Sequence, residues 1–350
     1  MRKKVRTWIK KCNYLKMVIS LNKNGYEPFL DFLKAYAIIG VLLGHTIPYL
    51  DETGYSLWYG MQVPLFVLIQ TFHVFKKETN QLNIPKIVKR VLLPYVLIQI
   101  LPLCYLIYKG IRFTDIIEYY TNGGIGPGSY YPWIYLQLAF ILPFVKPLFE
   151  KTSSSYMIIM SIIICEGLEI LTSLLHISDG LYRLLSIRYF FLIYLGWIWV
   201  KKGIVLNTKT VLLSLFSMAT IIYFEYFYKA TEPWFYDTAW RTHRWPCYYY
   251  VSILLCGILY WVYNLTKSNP LVLSITKILS KCSYEIFLVQ MVAIPFLPPV
   301  SFVHNELLQH VIKIFFIFII SIVGGFYFNK YYNILLENIK KTKWQILRKR

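Results

Sequence analysis

Ten long apolar stretches dominate the chain and restrict it to a membrane-spanning fold. Only 15% of the 350 residues are charged and 57% are apolar, whereas a soluble globular protein has about 25% charged residues. This composition argues against a soluble enzyme, a disordered chain and a nucleic-acid-binding protein. We predict an all-α, polytopic helical bundle of about ten transmembrane helices in the plasma or inner membrane. The stretches lie approximately at 32–50, 57–75, 91–108, 132–149, 156–175, 185–200, 210–228, 248–264, 282–300 and 310–328.

Positive charges concentrate on one side of the predicted bundle. The chain has 37 Lys and Arg residues against 17 Asp and Glu residues, a formal net charge of +20. If successive stretches alternate in direction, 28 of the 37 lie on the side of both termini, eight lie on the other side, and Lys34 lies inside the first stretch. Because cytoplasmic loops carry the excess of Lys and Arg, we predict that both termini are cytoplasmic.

The same pattern divides the chain into three parts. We predict a basic cytoplasmic arm at 1–28, a membrane domain at 29–328 and a basic cytoplasmic tail at 329–350. In the arm, apolar residues from Val5 to Leu15 recur at helical spacing among lysines. This spacing fits a helix lying on an anionic inner leaflet, and the arm alternatively serves as an irregular positive anchor.

The first stretch contains two ionisable side chains on one face. Lys34 and His45 lie within it, and Asp31 lies at its start. Eleven helical residues place Lys34 and His45 about 20° apart in azimuth and about 16 Å apart along the axis. An ionisable group at membrane depth is costly and commonly marks a site or a pathway. The structural alternative is that Lys34 extends to the headgroups while His45 bonds a neighbouring helix.

Other ionisable residues also fall within apolar stretches. Glu166 and Glu169 are three residues apart and therefore share a helix face. They pair with Arg183, Arg188 or Lys34, or they act as bases. Glutamates occur in two later stretches as well, at Glu225 and Glu285. The six histidines do not show metal-ligand spacing, so we expect no metal.

Two predicted outer loops combine aromatic and polar side chains. The first, at 121–133, is rich in glycine, and we expect it to be flexible; it ends in Tyr130, Tyr131 and Trp133. The second, at 234–245, contains three Trp, two Arg and one His. These residues suit stacking against sugar rings, and aromatic belts at membrane interfaces use the same types.

Several blocks of the sequence resemble the membrane acyltransferase-3 family. That family is marked by Arg or Lys, ten residues and then His in its first span, and the segment from Phe29 to His45 has this spacing through Lys34. The segment 63–72 resembles the family's second-span block. It carries Gln70-Thr71-Phe72 where that block normally ends in Ser-Gly-Phe.

Three later segments continue the resemblance. The run Lys86-Ile87-Val88-Lys89-Arg90 resembles a basic block ahead of the third span, with lysines where the family often has arginines. Arg188-Tyr189-Phe190-Phe191 resembles the start of the sixth span. The segment 279–290 resembles a late block, Ser-Tyr-x-x-Tyr-Leu-x-His, with Phe287 for Tyr and Gln290 for His. The resemblance therefore extends over most of the chain.

The resemblance implies transfer of an acyl group, commonly acetyl from acetyl-CoA, to a hydroxyl of a cell-surface polysaccharide, a lipid-linked glycan or another acceptor. Acyl-CoA, such an acceptor and membrane lipids are then the expected partners, without nucleic acid. His45 is the expected catalytic residue, as a general base or through a transient acyl-imidazole. The expected CoA-phosphate ligands are Lys34, Lys86, Lys89 and Arg90. Supporting roles are expected for Asp31, Glu166, Arg188, Tyr284 and Gln290, the last two as oxyanion donors or in helix packing.

Two other function classes remain open from the sequence. A transporter or flippase would use the intramembrane Glu and His side chains as a proton relay. A polysaccharide polymerase or ligase would typically place its functional residues in one large outer loop. Labelled acetyl-CoA separates the first rival from an acyltransferase, because a carrier moves the label unchanged.

Overall fold

The computed structural model describes residues 17–21, 27–47, 61–77, 82–152, 154–223, 245–298 and 305–348, and they are almost entirely helical. Helices α3 and α10 each contain one π-helical turn, at Val88–Leu92 and Val251–Leu255. The helices are α1 (Pro28–Thr46), α2 (Gln62–Phe75), α3 (Ile84–Tyr108), α4 (Phe113–Thr121), α5 (Tyr131–Lys151), α6 (Ser154–Leu174), α7 (Asp179–Tyr182), α8 (Phe190–Lys202), α9 (Thr208–Ile222), α10 (Trp245–Thr266), α11 (Pro270–Lys281), α12 (Ser283–Phe296) and α13 (Glu306–Arg348).

Each of the ten predicted stretches contains a helix, which confirms the all-α membrane fold. Among the residues that the structure describes, six helices are long and apolar enough to cross a membrane: α1, α3, α5, α6, α10 and α13. Helices α11 and α12, bent by 69° at their junction, together make a seventh candidate. The stretches at 57–75, 185–200 and 210–228 correspond to shorter helices. Helix α13 continues without a break past the expected domain boundary at 328.

A short two-stranded sheet joins the amino-terminal arm to the bundle. Strand β1 (Met17–Ile19) pairs antiparallel with β2 (Ile204–Leu206), and Met17 lies opposite Leu206. The apolar residues for which we predicted an interfacial helix lie outside the described residues. The end of the arm is an extended strand that pairs with the segment between α8 and α9.

Helices α1 and α2 occupy the centre of the bundle. Helix α1 packs against α2, α11 and α12, and α2 packs against α5 and α8. Buried positions occur on every face of α2. Many peripheral apolar side chains are exposed, as expected where lipid takes the place of water; they include Leu101, Phe144, Ile159, Phe216 and Phe315.

Local sequence sets where α1 begins and ends, and thereby the positions of Lys34 and His45. Pro28 is the first helical residue, and the Glu27 carboxylate accepts a hydrogen bond from the Phe29 amide. Proline fits this position because the first helical amide has no intrahelical acceptor. The helix ends at Thr46, after which the backbone is extended. Both ionisable side chains thus lie on one continuous helix, near its two ends.

Candidate functional site

Cations from several helices meet at the end of α1 that carries Lys34. The Lys34 ammonium lies 3.7 Å from the Asp31 carboxylate and interacts electrostatically with Lys76 and Arg90. The buried Lys146 ammonium donates a hydrogen bond to the Lys77 carbonyl oxygen. A group of cations like this one favours binding of a polyanion. We call this group the basic cluster; its members are Lys34, Lys76, Lys77, Lys86, Arg90 and Lys146.

Mutual repulsion within the basic cluster affects Lys77, which lies just beyond the end of α2. Partial burial lowers the pKa of the Lys77 amine, and the positive charges of Lys86, Arg90 and Lys76 lower it further. An anion bound among these residues would relieve that repulsion. A bound anion would therefore stabilise the protonated form of the Lys77 amine.

Asp31 holds the basic cluster against α11. Its carboxylate accepts a hydrogen bond from the Ser280 hydroxyl, in addition to its ion pair with Lys34. One carboxylate thus fixes the position of a cation and connects two helices. Asp31 lies beside the expected donor site, and its contacts indicate that it positions Lys34.

His45, near the other end of α1, contacts α12. The side-chain nitrogen Nε2 of Gln290 lies 2.9 Å from Nδ1 of His45. Gln290 is fully buried, and its Oε1 accepts no hydrogen bond from the residues that the structure describes. The amide therefore holds one imidazole nitrogen and leaves Nε2 of His45 available to other groups.

A cavity of about 390 Å³ adjoins His45. It lies within the range of about 300–1,000 Å³ that is common for small-molecule sites. Among the described residues, its charged lining residues are Glu169, Arg183 and Arg188. Its other lining residues include tyrosines and a phenylalanine whose rings offer apolar faces: Tyr130, Tyr131, Tyr182, Tyr189, Tyr248 and Phe287.

The Arg188 guanidinium is buried among three of these tyrosine rings. It lies 4.7 Å from the Tyr189 ring centroid and 5.7 Å from the centroids of Tyr130 and Tyr182. One of its nitrogens donates a 2.6 Å hydrogen bond to the Tyr189 hydroxyl. The Tyr182 hydroxyl in turn donates to Glu169 at 3.3 Å. These contacts fix a permanent positive charge beside the cavity.

The glycine-rich loop before α5 forms part of the cavity wall and is held by hydrogen bonds. Gln99 holds both backbone polar groups of the buried Ile125, at 3.1 and 3.2 Å. The Tyr95 hydroxyl donates to the Gly123 carbonyl at 2.6 Å. At Gly126, φ is +97°, and a Cβ would lie 2.2 Å from the Met291 carbonyl oxygen. Close packing against α12 explains glycine here.

Comparison with known families agrees with this arrangement. A family model described as an acyltransferase domain matches residues 27–330 and so covers most of the chain. The chain belongs to the acyltransferase-3 family. It is therefore an acyltransferase, and its apolar helices make it a multi-pass membrane protein. No curated protein and no solved structure matches the chain significantly.

The departures from the acyltransferase-3 blocks fall in different places. The Gln70 amide donates a hydrogen bond to the Tyr135 carbonyl at 3.1 Å. Thr71 packs so closely against Gly196 that a Cβ on this glycine would lie 2.7 Å from the Thr71 methyl carbon. Those two residues hold α2 against α5 and α8, away from the cavity lining. Gln290, by contrast, contacts His45 directly.

The structure brings only some of the predicted site residues to the cavity or the basic cluster. Arg188 lines the cavity, but Glu166 is not among the lining residues. The Tyr284 hydroxyl donates to the Val91 carbonyl at 3.0 Å, so it joins α12 to the π-helical turn of α3. Lys89 is exposed, and its carbonyl accepts a hydrogen bond from the Tyr332 hydroxyl.

Several residues of the two sites were not predicted from the sequence. On α6, the buried positions Ser161, Cys165 and Glu169 recur every four residues, and this spacing would have favoured Glu169 over Glu166. Lys77 and Lys146 were not predicted as site residues, because their contacts with the basic cluster depend on helix packing. We predicted Arg183 as a candidate pairing partner of Glu166 and Glu169, and the structure shows that it lines the cavity itself.

Proposed function

We propose that this protein is an O-acyltransferase of the plasma or inner membrane. It takes an acyl group, acetyl as the expected case, from cytoplasmic acyl-CoA and transfers it to a hydroxyl of a glycan or lipid-linked sugar on the outer side. The observation that carries the proposal is the position of His45: its Nδ1 bonds Gln290, its ring adjoins a cavity, and the basic cluster lies near the opposite end of the same helix.

The donor binds through its phosphates at the basic cluster in this proposal. The positive charges that bind the phosphates come from Lys34, Lys86 and Arg90. Lys77 adds another cation, and a bound phosphate would offset its repulsion by the neighbouring cations. Lys89 remains an expected phosphate ligand at the exposed edge. About 16 Å of helix separates Lys34 from His45, so the extended pantetheine arm would carry the thioester towards the imidazole.

His45 acts as the general base in the transfer. The acceptor oxygen forms a bond to the thioester carbonyl carbon while His45 takes the hydroxyl proton. The carbon–sulfur bond then breaks, and the proton passes from the imidazolium to the CoA thiolate. General-base assistance of this kind contributes about 10²–10⁴-fold to a rate. A transient acyl-imidazole on the same nitrogen is the alternative course.

A labelling experiment tests the proposal. Purified protein in liposomes that contain a glycolipid extract would receive acetyl-CoA labelled in the acetyl group. We expect label to become covalently attached to the glycolipid fraction and to withstand denaturation and washing. Label that enters the vesicle lumen still attached to CoA would instead indicate a transporter, and label that stays outside as acetyl-CoA would contradict both functions.

A further inference from the structure

Two arginine side chains that line the cavity beside His45 both lie close to the ring of Tyr130. The guanidinium carbons of Arg183 and Arg188 lie 5.9 and 5.7 Å from the Tyr130 ring centroid. They are therefore no more than about 12 Å apart. Both residues line the cavity together with a single carboxylate among its described lining residues, that of Glu169.

Arg183 has hydrogen-bonding capacity left over. One of its terminal nitrogens donates to the Asn122 carbonyl at 2.9 Å. Its Nε is buried and donates no hydrogen bond to a described residue. A guanidinium stays protonated at any physiological pH and presents its donors in a planar fork that suits carboxylates and phosphates. Arg183 thus offers an unfilled donor beside the fixed charge of Arg188.

Aromatic rings supply much of the remaining wall. Tyr131, Tyr182 and Phe287 line the cavity, and such rings pack against the apolar faces of sugars. A neutral sugar would need only these rings and a few hydrogen bonds. Two guanidiniums against one carboxylate give the described lining a positive excess, which favours an anion in a cavity partly screened from water.

We propose that this cavity binds an acidic saccharide, and that Arg183 and Arg188 hold its carboxylate or phosphate while a neighbouring hydroxyl faces His45. This inference rests on the proposed function for the role of the hydroxyl, but the binding site itself does not depend on turnover. It restricts the acceptor class to sugars that carry an oxyanion as well as a free hydroxyl.

Binding of three small probes tests the inference without an acyl donor. The probes are methyl glucuronide, glucose 6-phosphate and the neutral methyl glucoside, measured by equilibrium binding to the full-length protein in nanodiscs at low and moderate salt. We expect one or both anionic probes to bind at least about 10-fold more tightly than methyl glucoside, as one charge-assisted hydrogen bond provides. Comparison of the glucuronide with the phosphate identifies the preferred oxyanion.

Variants locate the bound anion. Arg183→Gln should reduce the preference for the anionic probe about 10-fold and leave methyl glucoside binding unchanged. Arg188→Gln should have the same effect. Arg188 is buried, and if its variant does not fold, Arg183→Gln alone still tests the inference. Arg112→Gln is the matched control, since Arg112 is exposed and pairs with Asp115 outside the cavity.

Three results would overturn the inference: no preference for either anionic probe, a preference that persists in Arg183→Gln, or a preference that Lys77→Ala abolishes. The last would place the anion at the basic cluster. Because no acyl-CoA is present, this outcome is separate from the proposed function. A protein that binds glucuronide through Arg183 but transfers no acetyl group would retain the acidic-sugar site and lose only the transferase mechanism.

Discussion

Gln290 Nε2 lies 2.9 Å from His45 Nδ1, and this contact controls which imidazole nitrogen carries the proton. An amide nitrogen only donates, so in this orientation Nδ1 accepts and the ring proton lies on Nε2. Rotation of the amide by 180° exchanges its oxygen and nitrogen, and Oε1 then accepts from Nδ1–H. Only the second arrangement leaves the Nε2 lone pair free for a hydroxyl proton. A general base at Nε2 therefore requires the rotated amide.

Replacement of Gln290 tests that requirement. Gln290→Met keeps a long unbranched side chain but removes both amide atoms. We expect kcat for acetyl transfer to fall about 10–100-fold with little change in the KM for acetyl-CoA, because the residue acts on His45 and lies away from the basic cluster. Gln290→Glu, which retains an acceptor for Nδ1–H, should keep more activity than Gln290→Met. Equal losses in both variants would show that the amide serves packing alone.

Removal of the imidazole should abolish catalysis while the protein still inserts and folds. We expect His45→Ala to lower the acetyl-transfer rate about 10²–10⁴-fold, the usual contribution of a general base. His176→Asn is the matched control: His176 is exposed at φ +49°, a conformation that asparagine tolerates. Both variants should elute from size exclusion as the wild type does. Transfer at the wild-type rate by His45→Ala would exclude this mechanism.

The basic cluster should determine use of the donor. Lys34→Ala should raise the KM for acetyl-CoA about 10-fold or more, because it removes a charge-assisted contact and leaves Asp31 without its 3.7 Å ion pair. Lys34→Arg should retain much of the activity, since the site needs positive charge more than ammonium shape. Lys267→Ala, at an exposed position, provides the control. If the KM is unchanged in Lys34→Ala, Lys34 does not contact the donor.

Helical periodicity predicted which side chains share a face of one helix. Contacts between helices and loops depend on tertiary packing and could not be predicted in this way. The common stripe of Lys34 and His45 follows from the rise and turn of a single helix. The close approach of Gly126 to Met291 depends on tertiary packing, and no local pattern encodes an approach between residues so distant in sequence. The assignment of Gln290 was similar: the sequence marked it as a family position, but only packing of α12 on α1 places it against Nδ1.

The lowered pKa of Lys77 predicts unusual reactivity at the basic cluster. Its pKa lies below the usual 10.5, so at any pH below that value more of this amine is neutral and nucleophilic. Lys77 should therefore react with an N-hydroxysuccinimide ester at lower pH than a lysine of ordinary pKa, as peptide mass spectrometry would record. Adenosine 3′,5′-diphosphate should raise the Lys77 pKa and slow its labelling, because a bound phosphate favours the ammonium form.

Pantetheine is the control for this labelling experiment, because it lacks the phosphates. It should leave the rate at Lys77 unchanged, and neither compound should alter labelling of Lys267. Equal protection by pantetheine and by the diphosphate would show that protection comes from steric cover, and the electrostatic account of the basic cluster would then fail.

Substitution of Gly126 should destabilise the protein more than its positive φ alone explains. Gly126→Ala meets both an unfavourable φ of +97° and a Cβ 2.2 Å from the Met291 carbonyl oxygen. Gly110→Ala, at φ +71° with nothing within 4 Å, isolates the conformational cost, about 1–2 kcal/mol. We expect Gly126→Ala to lower the thermal midpoint more than Gly110→Ala. It should also reduce kcat, because displacement of Met291 moves the adjacent Gln290. Equal midpoints and full activity in both variants would show that the loop yields without moving α12.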